Sequence, residues 1–173
     1  MMRTDIGNRG VQRLTREEIS AFYEKFSPSV FRLCMSYLRN EQDSADAVHD
    51  TFLKWIDSNI GFKDENHAIG WLVLTAGRIC KDLLRHRRRF PSEELEAAKA
   101  VGEDEKAYSD AEVFDAVCSL PDKYKDVIFL FYYEDMTTSQ ISSATGMKQS
   151  TVTSLLTRAR RLLKNLLGDD DNG

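Results

Sequence analysis

Residues 137–161, TTSQISSATGMKQSTVTSLLTRARR, decide the fold. Thr137-x-x-Gln140 is a capping box, in which hydroxyl and amide each satisfy a backbone group that a helix start leaves unpaired. A short helix to Thr145 follows, and Gly146 fits the left-handed position just past its end. A longer helix from about Ser150 to Leu167 then turns Val152, Leu156, Ala159, Leu163 and Leu166 or Leu167 inward. Short helix, tight turn and longer helix make a helix–turn–helix, the geometry that lays one helix into a DNA major groove. The front of the second helix is polar: Gln149, Ser150, Thr151, Thr153 and Ser154 can reach base edges and phosphates. Arg158, Arg160, Arg161 and Lys164 behind them suit the phosphate backbone. The competing reading is an ordinary helical hairpin with a solvated basic face.

Working outward, this motif belongs to a helical unit over 110–168. Val113, Phe114 and Val117 predict one helix, and Leu120-Pro121 opens another with Val127, Ile128, Leu130 and Phe131 as its core. Ahead of it, residues 91–109 are acidic and short of large apolar groups, which predicts a linker. The net charge of −4 conceals a segregation. Residues 137–167 hold five Lys/Arg and no acid, and 66–89 hold six against one acid. Residues 91–112 hold eight acids against two lysines. Two basic blocks separated by an acidic one suggest two anionic contacts and a strap between them.

The first unit spans 15–90 and is again helical. Thr15-x-x-Glu18 is another capping box, and Ile19, Phe22, Tyr23 and Phe26 recur at helical spacing. Ser27-Pro28 predicts the start of a second helix, proline being favoured at the first helical position. It carries Val30, Leu33, Cys34, Tyr37 and Leu38. Asp43 is placed to cap a third helix running to about Ser58. Its apolar residues Ala45, Val48, Phe52, Trp55 and Ile56 fall within a sector of about 100°. Asp43, Asp46, Asp50 and Asp57 gather on the opposite side. From the residues alone, that acidic side reads as a solvated face. A loop, 59–66, leads to a fourth helix capped by Asn66 and running to about Arg88. Ala68, Leu72, Thr75, Ala76, Ile79 and Leu83 mark its core, and Arg78, Lys81, Arg85, Arg88 and Arg89 form one stripe. Either that stripe holds an anion or it is a solvated terminus favoured by the helix dipole. Ile60, Phe62 and Lys63 set apolar and aromatic surface beside it, a mix able to hold an unstacked base, although Phe62 could equally be core. Phe90-Pro91 ends the helix.

The fold class expected is therefore all-α: two small helical domains joined by an acidic linker. A chain of 173 residues accommodates this, at roughly 100–200 residues per domain. Apolar and charged fractions of 42% and 30% place it among soluble, globular chains. No stretch approaches the ~20 apolar residues of a membrane span, and the start leads into no secretory core, so the cytoplasm is the expected compartment. Cys34, Cys80 and Cys118 are far apart and lie among apolar residues, which predicts small buried hydrophobes. His49, His67 and His86 show no metal spacing, and there is no phosphate loop or nucleophile elbow. Catalysis, metal and cofactor are not expected.

Four segments, in order, carry a family resemblance. DAVHDTFLKW at 46–55 resembles the polymerase-binding helix of the sigma-70 family, where D/E-D-A-x-Q-D-x-F-L-K-x-W is typical. Trp71-Leu72, then Asp82-Leu83-Leu84-Arg85 and the arginine run, resemble the −10 promoter-reading helix. LPDKYKDV at 120–127 resembles the opening of the −35-binding domain, and Thr151-Val152, Ser154, Leu156 and Arg158-Ala159-Arg160 resemble its recognition helix. Two domains and a short linker point to the extracytoplasmic-function group of that family.

The resemblance implies roles. Asp43, Asp46, Asp50, Thr51, Lys54 and Asp57 would dock on core RNA polymerase, through its β′ clamp helices, with the β subunit as a further partner. Ile60, Phe62, Lys63 and Asn66 would capture a flipped base of the −10 element, with Trp71, Arg78, Lys81, Arg85, Arg88 and Arg89 holding the DNA around it. Lys148, Gln149, Ser150, Thr151, Thr153, Ser154, Thr157, Arg158 and Arg161 would bind the −35 element. The linker would thread toward the RNA exit channel. An anti-sigma factor is an implied partner; a small-molecule substrate is not. The sequence departs from the pattern where Arg78 replaces a common asparagine, His49 a glutamine, and Ser150, Thr153 and Leu155 the usual Gly, Lys and Arg. Free of polymerase, the chain is expected to bind DNA weakly, because each unit is small and the linker opposes the DNA charge. The alternative function is a helix–turn–helix regulator that acts without polymerase.

Overall fold

Helix α1, Arg16–Leu38, starts where the sequence places it: Thr15 Oγ1 accepts from Glu18 N–H, and the Glu18 carboxylate accepts from Thr15 N–H. The computed structural model describes residues 13–91 and 108–168. Contrary to the sequence reading, α1 runs unbroken through Pro28. Proline removes one backbone bond from a helix interior at about 3 kcal/mol, yet the halves on either side both pack on the same two helices. Phe26 lies below Pro28, and Val30, Leu33, Cys34 and Tyr37 above it, all buried. That shared core outweighs the local rule.

Helix α2, Glu41–Ser58, is capped by Asn40 rather than Asp43: Asn40 Oδ1 accepts the N–H of Asp43 at 2.9 Å. Helix α3, Glu65–Arg89, is capped by Asp64 rather than Asn66, which lies inside the first turn. The connecting loop is correspondingly shorter. Ala45 is exposed and Ala47 is buried, so α2 turns a slightly different face inward than its apolar spacing suggested. Helices α1, α2 and α3 pack on one another as a three-helix unit.

The second unit is α4 (Tyr108–Ser119), α5 (Asp122–Tyr132), α6 (Thr138–Thr145) and α7 (Gln149–Leu166). The Thr137–Gln140 box forms reciprocally, and Gly146 ends α6 at φ 77°, a conformation costly for any residue with a Cβ. Val152, Leu156, Ala159 and Leu163 of α7 are buried, whereas Leu166 and Leu167 are both exposed. The inward apolar stripe thus stops one turn earlier than its period suggested. All seven helices, and no strand, make up the described residues. The acidic linker lies outside them, apart from Pro91 and from Tyr108 and Ser109, which begin α4.

The two units are in contact. Helix α3 packs against α5 and α6, and α1 against α4 and α5, so that buried residues of both form one continuous core.

Candidate nucleic-acid interface and docking face

Three surfaces carry the residues singled out from the sequence. The first is the acidic side of α2. Asp46, Asp50, Lys54 and Asp57 are exposed there, with Gln42 Nε2 donating to Asp46 at 3.3 Å. Thr51 is buried and its hydroxyl donates to the Ala47 carbonyl, so it faces the core and not this surface. Asp43 is half-buried and accepts from the Arg87 guanidinium of α3. One residue of this face escaped a reading based on charge. Leu53 lies between Asp46, Asp50 and Asp57 on the same helical stripe and is 44% exposed. Tyr23 of α1, exposed likewise, packs its ring against Phe52, the residue before Leu53. An acidic face with an apolar centre is the composition expected of a protein interface.

The second surface is the 59–64 loop with α3. Ile60 and Lys63 are exposed. Phe62 is only 5% exposed, its ring stacked on Phe22 at 5.8 Å and tilted against Trp71 at 5.9 Å. Phe22 in turn stacks on Trp55 at 3.9 Å. Phe62 therefore closes the core and supports the loop from beneath. Asn66 and Trp71 are half-buried beside it. Asp64 accepts from both the backbone N–H and the ring of His67, and these bonds hold its carboxyl below the usual carboxylate range.

Along the rest of α3, Arg78, Arg88 and Arg89 are exposed. Arg85 pairs with Asp82 at 2.6 Å within the helix. Lys81 is half-buried, 3.6 Å from Asp126 of α5. Lys81, Arg85 and Arg88 share a small cleft with Asp122, also of α5. The helix dipole adds to the favourable placement of cations in this last turn.

The third surface is the front of α7. Lys148, Gln149, Ser150, Thr151, Thr153, Ser154, Thr157, Arg158 and Arg161 are all exposed. No side chain caps α7, so its first backbone N–H groups face solvent together with these hydroxyls. Gln149 Nε2 donates to Thr138 Oγ1 at 3.1 Å, tying the two helices of the motif. Arg160 is turned elsewhere: its guanidinium donates to Tyr132 Oη at 3.0 Å and lies 4.7 Å from the Phe131 ring centre.

Between the units lies a buried polar cluster that no local pattern announces. Tyr37 Oη donates to Asp126 Oδ1 at 2.6 Å, and the Lys125 ammonium donates to the Ser36 carbonyl at 2.9 Å. Burial pushes the Asp126 carboxyl up and the Lys125 ammonium down. Burial and the neighbouring Asp126 charge raise the Tyr37 phenol. Cys34 and Cys80 are buried alongside one another, and the Cys80 thiol is raised by its hydrogen bond to Cys34 and by burial.

Both helical units have counterparts among known proteins. Residues 22–90 match the model of sigma-70 region 2, and residues 111–163 match that of sigma-70 region 4. RNA polymerase sigma factor SigV of Bacillus subtilis is 28% identical over 144 residues, covering 82% of this chain and 86% of its own. The ECF RNA polymerase sigma-E factor of Haemophilus influenzae is 28% identical over 171 residues, covering 90% of each. Among solved structures, the sigma factor RpoE of Bartonella quintana, crystallised with the anti-sigma factor NepR, superposes with a TM-score of 0.63 at 16% identity, covering 87% of this chain and 99% of that one. CnrH, solved with the cytosolic domain of CnrY, gives 0.62 at 18%, covering 91% and 92%. At those identities the two structures speak for the fold alone. Two family models in series, together spanning most of the chain, and relatives aligned along nearly all of it show that this chain belongs to the sigma-70 family of RNA polymerase sigma factors, in its extracytoplasmic-function group.

Proposed function

We propose that the chain binds core RNA polymerase and directs it to promoters by reading a −10 and a −35 element. One observation carries this reading. Two separate cationic surfaces, on α3 and α7, belong to different units, while Asp46, Asp50, Leu53 and Asp57 form a third, exposed acidic surface on α2. A repressor needs one DNA surface and a dimer contact; it has no use for a second DNA surface and an acidic dock. Asp46, Asp50, Lys54 and Asp57 meet the polymerase, with Leu53 as the desolvated centre of the contact. Thr51 contributes by shaping the helix rather than by touch, and Asp43 by anchoring α3.

On promoter DNA, Ile60 and Lys63 lie where an unstacked base would be trapped. Asn66 and Trp71 line the entrance, and Arg78, Arg88 and Arg89 hold phosphates. The exposed polar front of α7, from Lys148 to Arg161, enters the major groove at the −35 element. Residues 15–90 and 110–168 act as the two reading domains, and 91–109 as the strap between them. The chemistry of RNA synthesis stays with the core enzyme; this chain supplies affinity and placement. Its working compartment is then the cytoplasm, where the polymerase is. The two superposed structures are a sigma factor with an anti-sigma factor and CnrH with the cytosolic domain of CnrY. An anti-sigma factor is the partner expected here as well.

Run-off transcription with purified core polymerase tests the reading. The wild-type chain should confer initiation at a defined promoter, and a double change of Asp46→Ala and Asp50→Ala should lower core affinity while leaving the helical fold intact. A chain that shifts operator DNA tightly by itself and does not respond to core polymerase would establish the regulator instead.

A further inference from the structure

We infer that the first turns of α7 read A·T base pairs: Gln149, preset by Thr138, takes an adenine, and the methyl of Thr153 takes a neighbouring thymine. This assignment rests on the −35 reading of α7 and names the bases that the surface recognises.

Gln149 has one particular pair of groups left to offer. A glutamine amide carries two N–H donors and one carbonyl acceptor. One N–H goes to Thr138 Oγ1 of α6, at 3.1 Å. What remains is one donor beside one acceptor, on a side chain exposed at the start of α7. Adenine shows the complementary pair on its major-groove edge, the N7 acceptor and the N6 amino donor. Guanine shows two acceptors there, N7 and O6, and the second would face the amide oxygen. The bond to Thr138 also decides which end of the amide lies toward α6. The rotation is fixed before DNA arrives, so less freedom is lost on binding. Thr138, the first residue of α6, is thus a positioning residue for a base it need not touch.

Thr153 stands one turn further on. Its hydroxyl donates to the Gln149 carbonyl at 3.0 Å, which occupies its one donor and fixes its rotamer. The exposed side chain then offers a base its methyl group, and thymine is the base that presents a methyl in the major groove. Charge supports the same assignment. From Gln149 to Thr157 the helix carries no Lys or Arg, the usual partners of guanine, and no Asp or Glu, the partners of cytosine. Neither half of a G·C pair finds its counterpart in this stretch. Lys148 before it, and Arg158 and Arg161 after it, are exposed cations placed for phosphates on either side.

This face is open in the free chain. Among the described residues, α7 packs on α4, α5 and α6 and on no helix of the N-terminal unit. The C-terminal unit meets α3 through other residues. Ala144 of α6 seats on Gly70, where an added Cβ would stand 2.8 Å from the Ala144 Cβ, and Asp126 of α5 abuts Gly77.

Core polymerase carrying the full chain, offered promoter DNA randomised across the −35 element, provides the test. Wild type should enrich A·T pairs where α7 enters the groove. Gln149→Ala should relax the adenine preference at one position about tenfold. Thr138→Val should relax the same position, while Thr138→Ser, which keeps the hydroxyl, should retain it. Modified bases in a selected promoter then isolate the atoms. Replacing that adenine by 7-deazaadenine removes N7 and should weaken wild-type binding about tenfold but leave Gln149→Ala unmoved. Replacing thymine by uracil removes the methyl and should weaken wild type about fourfold but leave Thr153→Ser unmoved. Guanine enriched at the position that Gln149→Ala relaxes, a Thr138→Val holoenzyme indistinguishable from wild type, or equal sensitivity of wild type and variants to the modified bases would overturn the assignment. Should the wild-type holoenzyme initiate at no promoter in run-off, the −35 reading itself falls, and that failure appears before any base is exchanged.

Discussion

Arg87 of α3 reaches across to Asp43 of α2 and donates to its carboxylate, both groups being half-buried. Of the arginines in the run at 85–89, this one is a strut between helices, while Arg88 and Arg89 point into solvent.

The run should therefore divide in two. Arg87→Ala leaves Asp43 half-buried and unpaired, at a cost of about 1–2 kcal/mol. Thermal or urea unfolding should register that loss. Arg88→Ala should leave the unfolding midpoint in place and weaken DNA binding instead, reducing the salt dependence by about one unit of slope. Equal effects of the two changes on DNA binding would contradict this division.

The loop before α3 should divide in the same way. Phe62 is wedged between Phe22 and Trp71, so Phe62→Ala should destabilise the N-terminal unit by about 3–5 kcal/mol, as large-to-small changes in a core do. Ile60 is exposed, and Ile60→Ala should change stability by less than about 0.5 kcal/mol. On the proposed promoter reading, the change should instead slow opening at a promoter, measured with a base-analogue fluorophore. A stable Phe62→Ala chain would show that the aromatic cluster is loosely packed.

At the docking face, Leu53→Ala should lower affinity for core polymerase by about 1 kcal/mol or more, the scale of a central interface contact. Its unfolding midpoint should hardly move, since the side chain is 44% exposed in the free chain. Titration of labelled chain with core polymerase measures it, and an unchanged affinity would place the contact elsewhere on α2.

The contact between units should respond to pH in an unusual sense. Burial holds the Asp126 carboxyl above its ordinary value of 3.8, so the folded chain keeps that proton more readily than the unfolded one. Its contribution is complete below the ordinary value and is lost as pH rises through the raised one. Lys125, pushed down by burial, acts in the opposite direction, its contribution growing as pH rises toward 10.5. Asp126→Asn keeps an acceptor for Tyr37 and removes the titration. As pH falls from neutral toward 3.8, the stability of wild type relative to Asp126→Asn should therefore increase. A pH-independent difference in urea midpoints would mean that Asp126 is solvated and the units are apart.

What the sequence revealed was what is decided within a few residues. The Thr15–Glu18 and Thr137–Gln140 boxes and the Gly146 turn are local chemistry, and each stands where its spacing placed it. Caps were ambiguous where two suitable residues compete: Asn40 and Asp43 are both good caps, and the former accepts the N–H of the latter. Pro28 misled because a local preference yielded to packing along both halves of α1. The contacts between units were invisible for a different reason. Tyr37 and Asp126 are 89 positions apart, and neither the glycines of α3 nor Ala144 carries any pattern that names its counterpart. Leu53 was passed over because a search for charge does not register an apolar residue inside an acidic stripe.

The seating of Ala144 on Gly70 bears on how new specificities can be built from this scaffold. Grafting a foreign −35 reader after the linker would exchange more than the sequence it recognises. Unless the donor offers an equally small side chain at the α6 position and an acid opposite Lys81, the two halves of the hybrid would no longer seat on one another.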